Sequence, residues 1–122
     1  MGGNHRKNLF RSVEDSLENL QTDFIDLLYL HMWDYTTPIE EVLKGMDDLL
    51  SMGKIHYIAV SDSPAYIVSR GNAIAELRGW SEFIAYQFPY NFAIRAPERE
   101  IIPFCRQFDI AMTPWSVLGA GC

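Results

Sequence analysis

The stretch Asp23 to Asp34, DFIDLLYLHMWD, decides how the rest of the chain reads. Phe24, Ile25, Leu27, Leu28, Tyr29 and Leu30 form a nearly continuous apolar run, which suits a parallel strand covered on both faces better than a half-solvated antiparallel one. Polar chemistry appears only where the run stops. In α/β folds ligands gather at the carboxyl ends of strands, so His31, Trp33 and Asp34 stand where a site is expected, the last two as candidate walls of a substrate pocket.

Working outward, Lys7 to Leu20 has the spacing of an amphipathic helix, with Leu9, Val13, Leu17 and Leu20 on one face and Glu14, Asp15 and Glu18 toward water. After His31, a loop from Met32 to Thr37 leads to a marked helix start: Thr37 as N-cap, Pro38 at the first helical position and Glu40 completing a capping box. Val42, Leu43, Met46, Leu49 and Leu50 give this helix one apolar stripe, and Gly53 suits the left-handed position that closes it. The run Ile55 to Val60 is strand-like and ends in Ser61 and Asp62. Ser63 and Pro64 repeat the cap-and-proline device before a helix to Arg78 that Gly79 terminates. Phe83 to Phe88 is a third run, Pro97 to Gln107 a helix that Pro103 should kink or confine to one side, and Asp109 to Thr113 a last short strand.

The order is helix then strand, four times over, at separations suited to crossover helices. A parallel sheet with right-handed connections follows. Such an α/β chain reads either as a small doubly wound sheet or as half of a (β/α)8 TIM-type barrel, whose usual length is about 250 residues.

Composition narrows the partners. Hydrophobic residues at 48% and charged residues at 21% describe one ordinary folded domain rather than a disordered chain. The net charge of −6, with basic residues scattered beyond His5, Arg6 and Lys7, argues against nucleic acid as the main partner. No apolar run approaches the roughly 20 residues that span a bilayer, and MGGNHRKN lacks the apolar core of a signal peptide, so a cytoplasmic location is expected. Cys105 and Cys122 have neither disulfide-framework nor zinc spacing and read as reduced thiols; no metal site is indicated.

Each strand end carries polar or aromatic groups: His31 with Trp33 and Asp34, Ser61 with Asp62, Gln87 with Tyr90 and Asn91, Trp115 with Ser116. Parallel strands bring these four ends to one rim, where Tyr90 joins Trp33 and Asp34 as a candidate pocket wall. Each also has a structural alternative: Asp62 and Ser63 as helix caps, Trp33 as packing under its loop, Gln87 as a partner for buried backbone. No Walker loop, G-x-G-x-x-G, H-E-x-x-H or G-x-S-x-G occurs, so motif rules name no reaction.

GGNHRKNL, SLENLQTDFIDLLYLHMWD, VSDSPAYIVSRGNAIAELRGW and PWSVLGAG, taken together, resemble the aldo-keto reductases, in particular the aryl-alcohol-dehydrogenase-like branch. The resemblance runs over nearly the whole chain and implies a single partial domain, residues 1–122, equivalent to the fourth to seventh strands of the family barrel. It also implies roles. His31 matches the histidine that helps position the substrate carbonyl. Ser61, Asp62 and Gln87 match positions that hold the nicotinamide carboxamide of NADP(H), Trp115 the aromatic residue that stacks on the nicotinamide, and Ser116 and Leu118 the start of the loop over the pyrophosphate. An aromatic aldehyde or alcohol is the substrate class implied.

The departures are equally specific. Asp62 stands where the family often has asparagine, which removes an amide donor. The family's catalytic tyrosine, lysine and aspartate belong to its first three strands, and Lys7, Lys44, Lys54 and the six tyrosines here do not match them. General acid catalysis contributes about 10²- to 10⁴-fold, so little or no carbonyl reductase activity, and weak or absent NADP(H) binding, is expected of this chain. A half-barrel has open edges, here near Leu28 and Ala111, and two copies closing one barrel by two-fold symmetry is the expected association. A truncated gene product without function of its own is the remaining reading.

Overall fold

The computed structural model describes residues 3–31 and 33–121. Four helix–strand units follow one another: α1 (Arg6–Leu20), β1 (Ile25–His31), α2 (Ile39–Ser51), β2 (Ile55–Ser61), α3 (Ala65–Arg78), β3 (Phe83–Gln87), α4 (Ile101–Gln107) and β4 (Ala111–Met112). The strands form one parallel sheet in sequence order, the arrangement of part of a TIM-type barrel.

The core lies between the sheet and its helices. Val42, Leu43, Met46 and Leu49 of α2 are at most 1% exposed and pack with Leu30, Val60 and Tyr86, which share one face of the sheet. Burial of each such side chain is worth about 1.5–3 kcal/mol. Leu9 is half-buried while Val13 and Leu17 complete the α1 stripe; Leu20 lies beyond it, 64% exposed. Glu14 is not merely solvated, since it pairs with Lys54.

All four helices end alike. After α2, the Gly53 N–H reaches Leu50 O and the Lys54 N–H reaches Leu49 O, both at 3.0 Å, with Gly53 at φ 72°. This is the Schellman closure, and it turns the chain directly into β2. Gly79 closes α3 in the same way, with the Trp80 N–H on Ala75 O. In α1 and α4 the left-handed position is held by Gln21 (φ 54°) and Asp109 (φ 54°), with Thr22 N–H on Leu17 O and Ile110 N–H on Cys105 O. The expectation of glycine closures holds at two sites, and the other two use the same geometry without glycine.

Helix starts differ from the expected capping. Pro38 and Pro64 have extended ψ (139° and 138°) and are themselves the N-cap residues, so the helices begin at Ile39 and Ala65. Thr37 is therefore not the cap; its hydroxyl donates to Asp34, and Glu40, at the second helical position where the capping box requires the third, pairs with Arg70. The Ser63 hydroxyl likewise donates to Ser61 O. The expected helix from Pro97 to Gln107 divides into a 3-10 turn, Ala96–Glu98, and α4, in which Pro103 is the third residue, in the first turn where a proline is tolerated.

β1 is less covered than its composition suggests. Leu30 is buried, while Ile25, Leu27, Leu28 and Tyr29 are half-buried, because among the described residues β1 pairs only with β2 and its other edge is open. β3 carries one extra residue: Ile58 pairs with Phe83 but Ala59 with Ala85, leaving Ile84 unpaired and exposed. Asn72 of α3 serves Phe83 at this point, accepting from its N–H at 2.9 Å and donating to its carbonyl at 3.3 Å. Because strand faces alternate, this single insertion sends Tyr86 to the core and puts Gln87 on the face opposite the helices.

Candidate functional site

On that second face the rows are in register. Tyr29, Ala59, Ala85 and Ala111 form one row, and His31, Ser61 and Gln87 form the row at the strand ends. Three small side chains leave the Tyr29 ring room to cross the sheet, and its hydroxyl hydrogen-bonds the Thr113 hydroxyl at 3.1 Å. Three steps of about 4.8 Å separate the outer strands, so this contact requires the sheet to curl with the row inside. Tyr29 thus forms a floor one row below His31, a role that period-two alternation from His31 signals.

His31 is exposed, and its Nε2 lies 3.3 Å from Oδ2 of Asp62, which has a left-handed backbone (φ 49°). Ser61 is 2% exposed, Gln87 half-buried, and the Asp62 N–H points to Gln87 O at 3.4 Å. The histidine, the acid and the amide are therefore neighbours at one rim, as parallel strand ends require.

Trp115 reaches the same rim from beyond β4. Its N–H donates to Phe88 O (2.9 Å), its carbonyl accepts from the Tyr90 N–H (3.1 Å), and a parallel bridge joins it to Pro89. The indole is 46% exposed. Ser116 follows at φ 58° and its carbonyl accepts from Asn91 Nδ2 at 2.9 Å, while Leu118 is 83% exposed. A recess of about 280 Å³ lies between these two loops, lined by Phe92, Ile94, Ser116 and Ala120 among others.

The three candidate pocket walls are committed to the chain itself. Trp33 is in the core at 8% exposed, which is the packing alternative. Asp34 accepts from the N–H groups of Asn4 (2.6 Å), Thr36 (3.0 Å) and Thr37 (3.0 Å) and from the Thr37 hydroxyl (2.9 Å). Burial pushes its carboxyl pKa upward, but these four donors outweigh it and hold the group well below the usual carboxylate range. Tyr90 donates its hydroxyl to Glu98 at 2.7 Å, a bond that raises the phenol pKa and lowers that of Glu98. Asp34 ties the segment before α1 to the loop after β1, and Tyr90 ties its loop to the 3-10 turn.

The side chains suit a nicotinamide in part. The Gln87 amide has both donor and acceptor for a carboxamide, and the half-exposed Trp115 indole offers a face for stacking. Asp62 does not suit an amide carbonyl, because an ionised carboxylate only accepts and its Oδ2 is turned to His31. Among the described residues no group of three or more His, Cys, Asp or Glu side chains is placed to hold a metal ion, and Cys105 is a free, buried thiol whose pKa burial pushes up.

A parallel α/β layer whose strand ends gather a histidine, a serine, an amide and an exposed indole at one rim has the architecture of a partial barrel of the TIM type. The chain belongs to the aldo/keto reductase family, whose family model matches residues 1–122. It is 48% identical to norsolorinic acid reductase of Aspergillus flavus over 119 residues, which is 98% of this chain and 31% of that protein. Aryl-alcohol dehydrogenase [NADP(+)] of Phanerodontia chrysosporium is 45% identical over 98% of this chain and 31% of its own length. Norsolorinic acid reductase B of Aspergillus parasiticus is 44% identical with the same coverage. The chain thus spans about a third of the length of these relatives.

Proposed function

We propose that this chain carries the nicotinamide-facing and carbonyl-positioning part of an NADP(H)-dependent oxidoreductase site acting on aromatic aldehydes or alcohols. The observation that supports it best is the register row His31–Ser61–Gln87 beside the exposed indole of Trp115. His31 donates to the carbonyl oxygen and holds it in place; Ser61 and Gln87 hold the carboxamide, with Asp62 a poor third partner; Trp115 covers the ring, and Ser116 and Leu118 open the loop toward the pyrophosphate. NADPH, when bound, supplies a hydride to the carbonyl carbon. The name of the Phanerodontia relative supports the choice of NADP(H) and of the substrate class. A cytoplasmic setting belongs to the same reading; no helix among the described residues is long and apolar enough to cross a membrane.

Protonation of the carbonyl oxygen needs an acid, and three of the six tyrosines are already engaged elsewhere. The Tyr29, Tyr86 and Tyr90 hydroxyls bond Thr113, Ser63 and Glu98, and the Tyr86 phenol pKa is raised, chiefly by burial. Lys44 and Lys54 are paired with Asp48 and Glu14. We therefore expect weak NADPH binding and little or no carbonyl reduction by the chain alone. Titration with NADPH followed by tryptophan fluorescence tests this: saturable quenching that Trp115→Ala abolishes is expected, and no quenching at millimolar cofactor overturns it.

A second reading rests on the sheet edges. β1 and β4 each pair on one side only, and a groove of about 380 Å³ runs between α1 and the open side of β1, past Leu28 and His31. Two copies pairing edge to edge form a homodimer that closes the sheet. Light scattering decides: a dimer whose melting temperature rises with protein concentration is expected, and a monodisperse monomer sinks this reading.

A further inference from the structure

β4 is only two residues long, so the sheet by itself does little to fix the residues that follow it. What fixes them is the loop after β3. Three hydrogen bonds in succession lace the two loops: Trp115 N–H to Phe88 O at 2.9 Å, Tyr90 N–H to Trp115 O at 3.1 Å, and Asn91 Nδ2 to Ser116 O at 2.9 Å. The first two hold the backbone of Trp115. The third is made by a side chain, and it grips the residue whose φ of 58° turns the chain away from the indole.

Asn91 is itself held. Its Oδ1 accepts from the N–H groups of Ala93 (2.9 Å) and Ile94 (2.8 Å), and its own N–H donates to Ile94 O at 3.3 Å, a closed turn that aims the amide nitrogen across the gap. One side-chain oxygen builds the loop and one side-chain nitrogen reaches out of it. The two tasks can be separated chemically, because aspartate keeps the acceptor and lacks the donor.

We propose that Asn91 is a positioning residue that acts through Ser116 to hold the Trp115 indole in its place at the rim. The inference rests on the reading of Trp115 as the face that covers a nicotinamide. Without the Asn91–Ser116 bond, the left-handed turn at Ser116 loses its cross-loop partner and Trp115 becomes free to swing from the ring it should cover.

The test uses protein labelled with ¹⁵N-tryptophan, in which Trp33, Trp80 and Trp115 each give one indole N–H signal and Trp115→Phe identifies the third. In Asn91→Asp the Trp115 signal should show a lowered heteronuclear NOE while those of Trp33 and Trp80 stay unchanged, and the melting temperature should remain close to that of the parent. NADPH affinity should weaken by about tenfold, the scale of one lost hydrogen bond. Asn91→Ala, which loses both tasks, should move Trp115 further and lower the melting temperature as well. An equally rigid Trp115 in Asn91→Asp overturns the proposal, as does unchanged NADPH affinity in a variant whose parent binds it. A loosened Trp115 in a chain that never binds NADPH supports the positioning role and overturns the cofactor reading instead.

Discussion

The two ends of the sheet solve the same problem in opposite ways. Where helices run into strands, the closures at Gln21, Gly53, Gly79 and Asp109 share one left-handed geometry and one bonding scheme. Where strands run out, Pro38 and Pro64 start two helices alike, but the side-chain contacts of the junctions differ: Asp34 gathers four donors, Asp62 faces His31, Asn91 reaches to Ser116, and Trp115 is laced to the neighbouring loop. A backbone that has only to reverse finds one best geometry and repeats it. Variety at the other rim fits the proposal that its side chains serve a site, the division of labour typical of barrel folds.

The largest expected effect lies at the varied rim. Asp34→Ala removes an acceptor from four donors and should cost about 2–3 kcal/mol of stability in urea denaturation. Because the folded-state pKa of Asp34 is depressed, its contribution is fully present above the ordinary carboxylate value near 3.9 and is lost as pH falls below that through the folded value. Asp34→Asn should therefore flatten the acid limb of the stability profile, and an unchanged limb would show that the clamp is not electrostatic.

Next come the uniform closures. A Cβ at Gly53 would meet nothing within 4 Å, so Gly53→Ala isolates the cost of the left-handed backbone, about 1 kcal/mol. Gln21→Gly and Asp109→Gly run the same change in reverse and should each stabilise by about 0.5–1 kcal/mol. Equal and opposite shifts in thermal melts would confirm that the four junctions are one device; a loss in either glycine variant would show that the side chain there matters.

The smallest expected effect on stability, within about 0.5 kcal/mol, belongs to Asp62→Asn, since asparagine tolerates the same left-handed backbone. Its effect on binding should be the more visible: replacing a carboxylate by an amide donor should tighten NADPH severalfold in the fluorescence titration. A weaker complex would make the His31–Asp62 contact part of the site rather than a competitor to it.

Much of this was legible in the residues. The four apolar runs, their order and the breaks at Gly53 and Gly79 follow from composition and period, and the rim position of His31, Ser61 and Gln87 follows from strands being parallel. The closures at Gln21 and Asp109 were hidden because neither is the residue that the geometry prefers. The helix starts were misjudged by one position, because a proline can be the N-cap as well as the first helical residue, and only its ψ decides. The inserted residue at Ile84 was hidden for a deeper reason. Which face Gln87 takes depends on a register shift fixed by Asn72, a side chain on another element eleven residues before Phe83. Asp34 and Trp33 looked like pocket walls because polarity and aromaticity at a strand end mark a site and a clamp equally well.

The hydroxyl contact between Tyr29 and Thr113 joins residues 84 apart, while every strand pairing in the sheet is between consecutive strands. Units that pair with their sequence neighbours can assemble early, each closing a short loop, but this contact must wait until all four strands are in place. Tyr29 is therefore a clock as well as a floor. Its removal should quicken unfolding and leave the folding rate almost untouched, marking the final curl of the sheet as the last event in forming the rim.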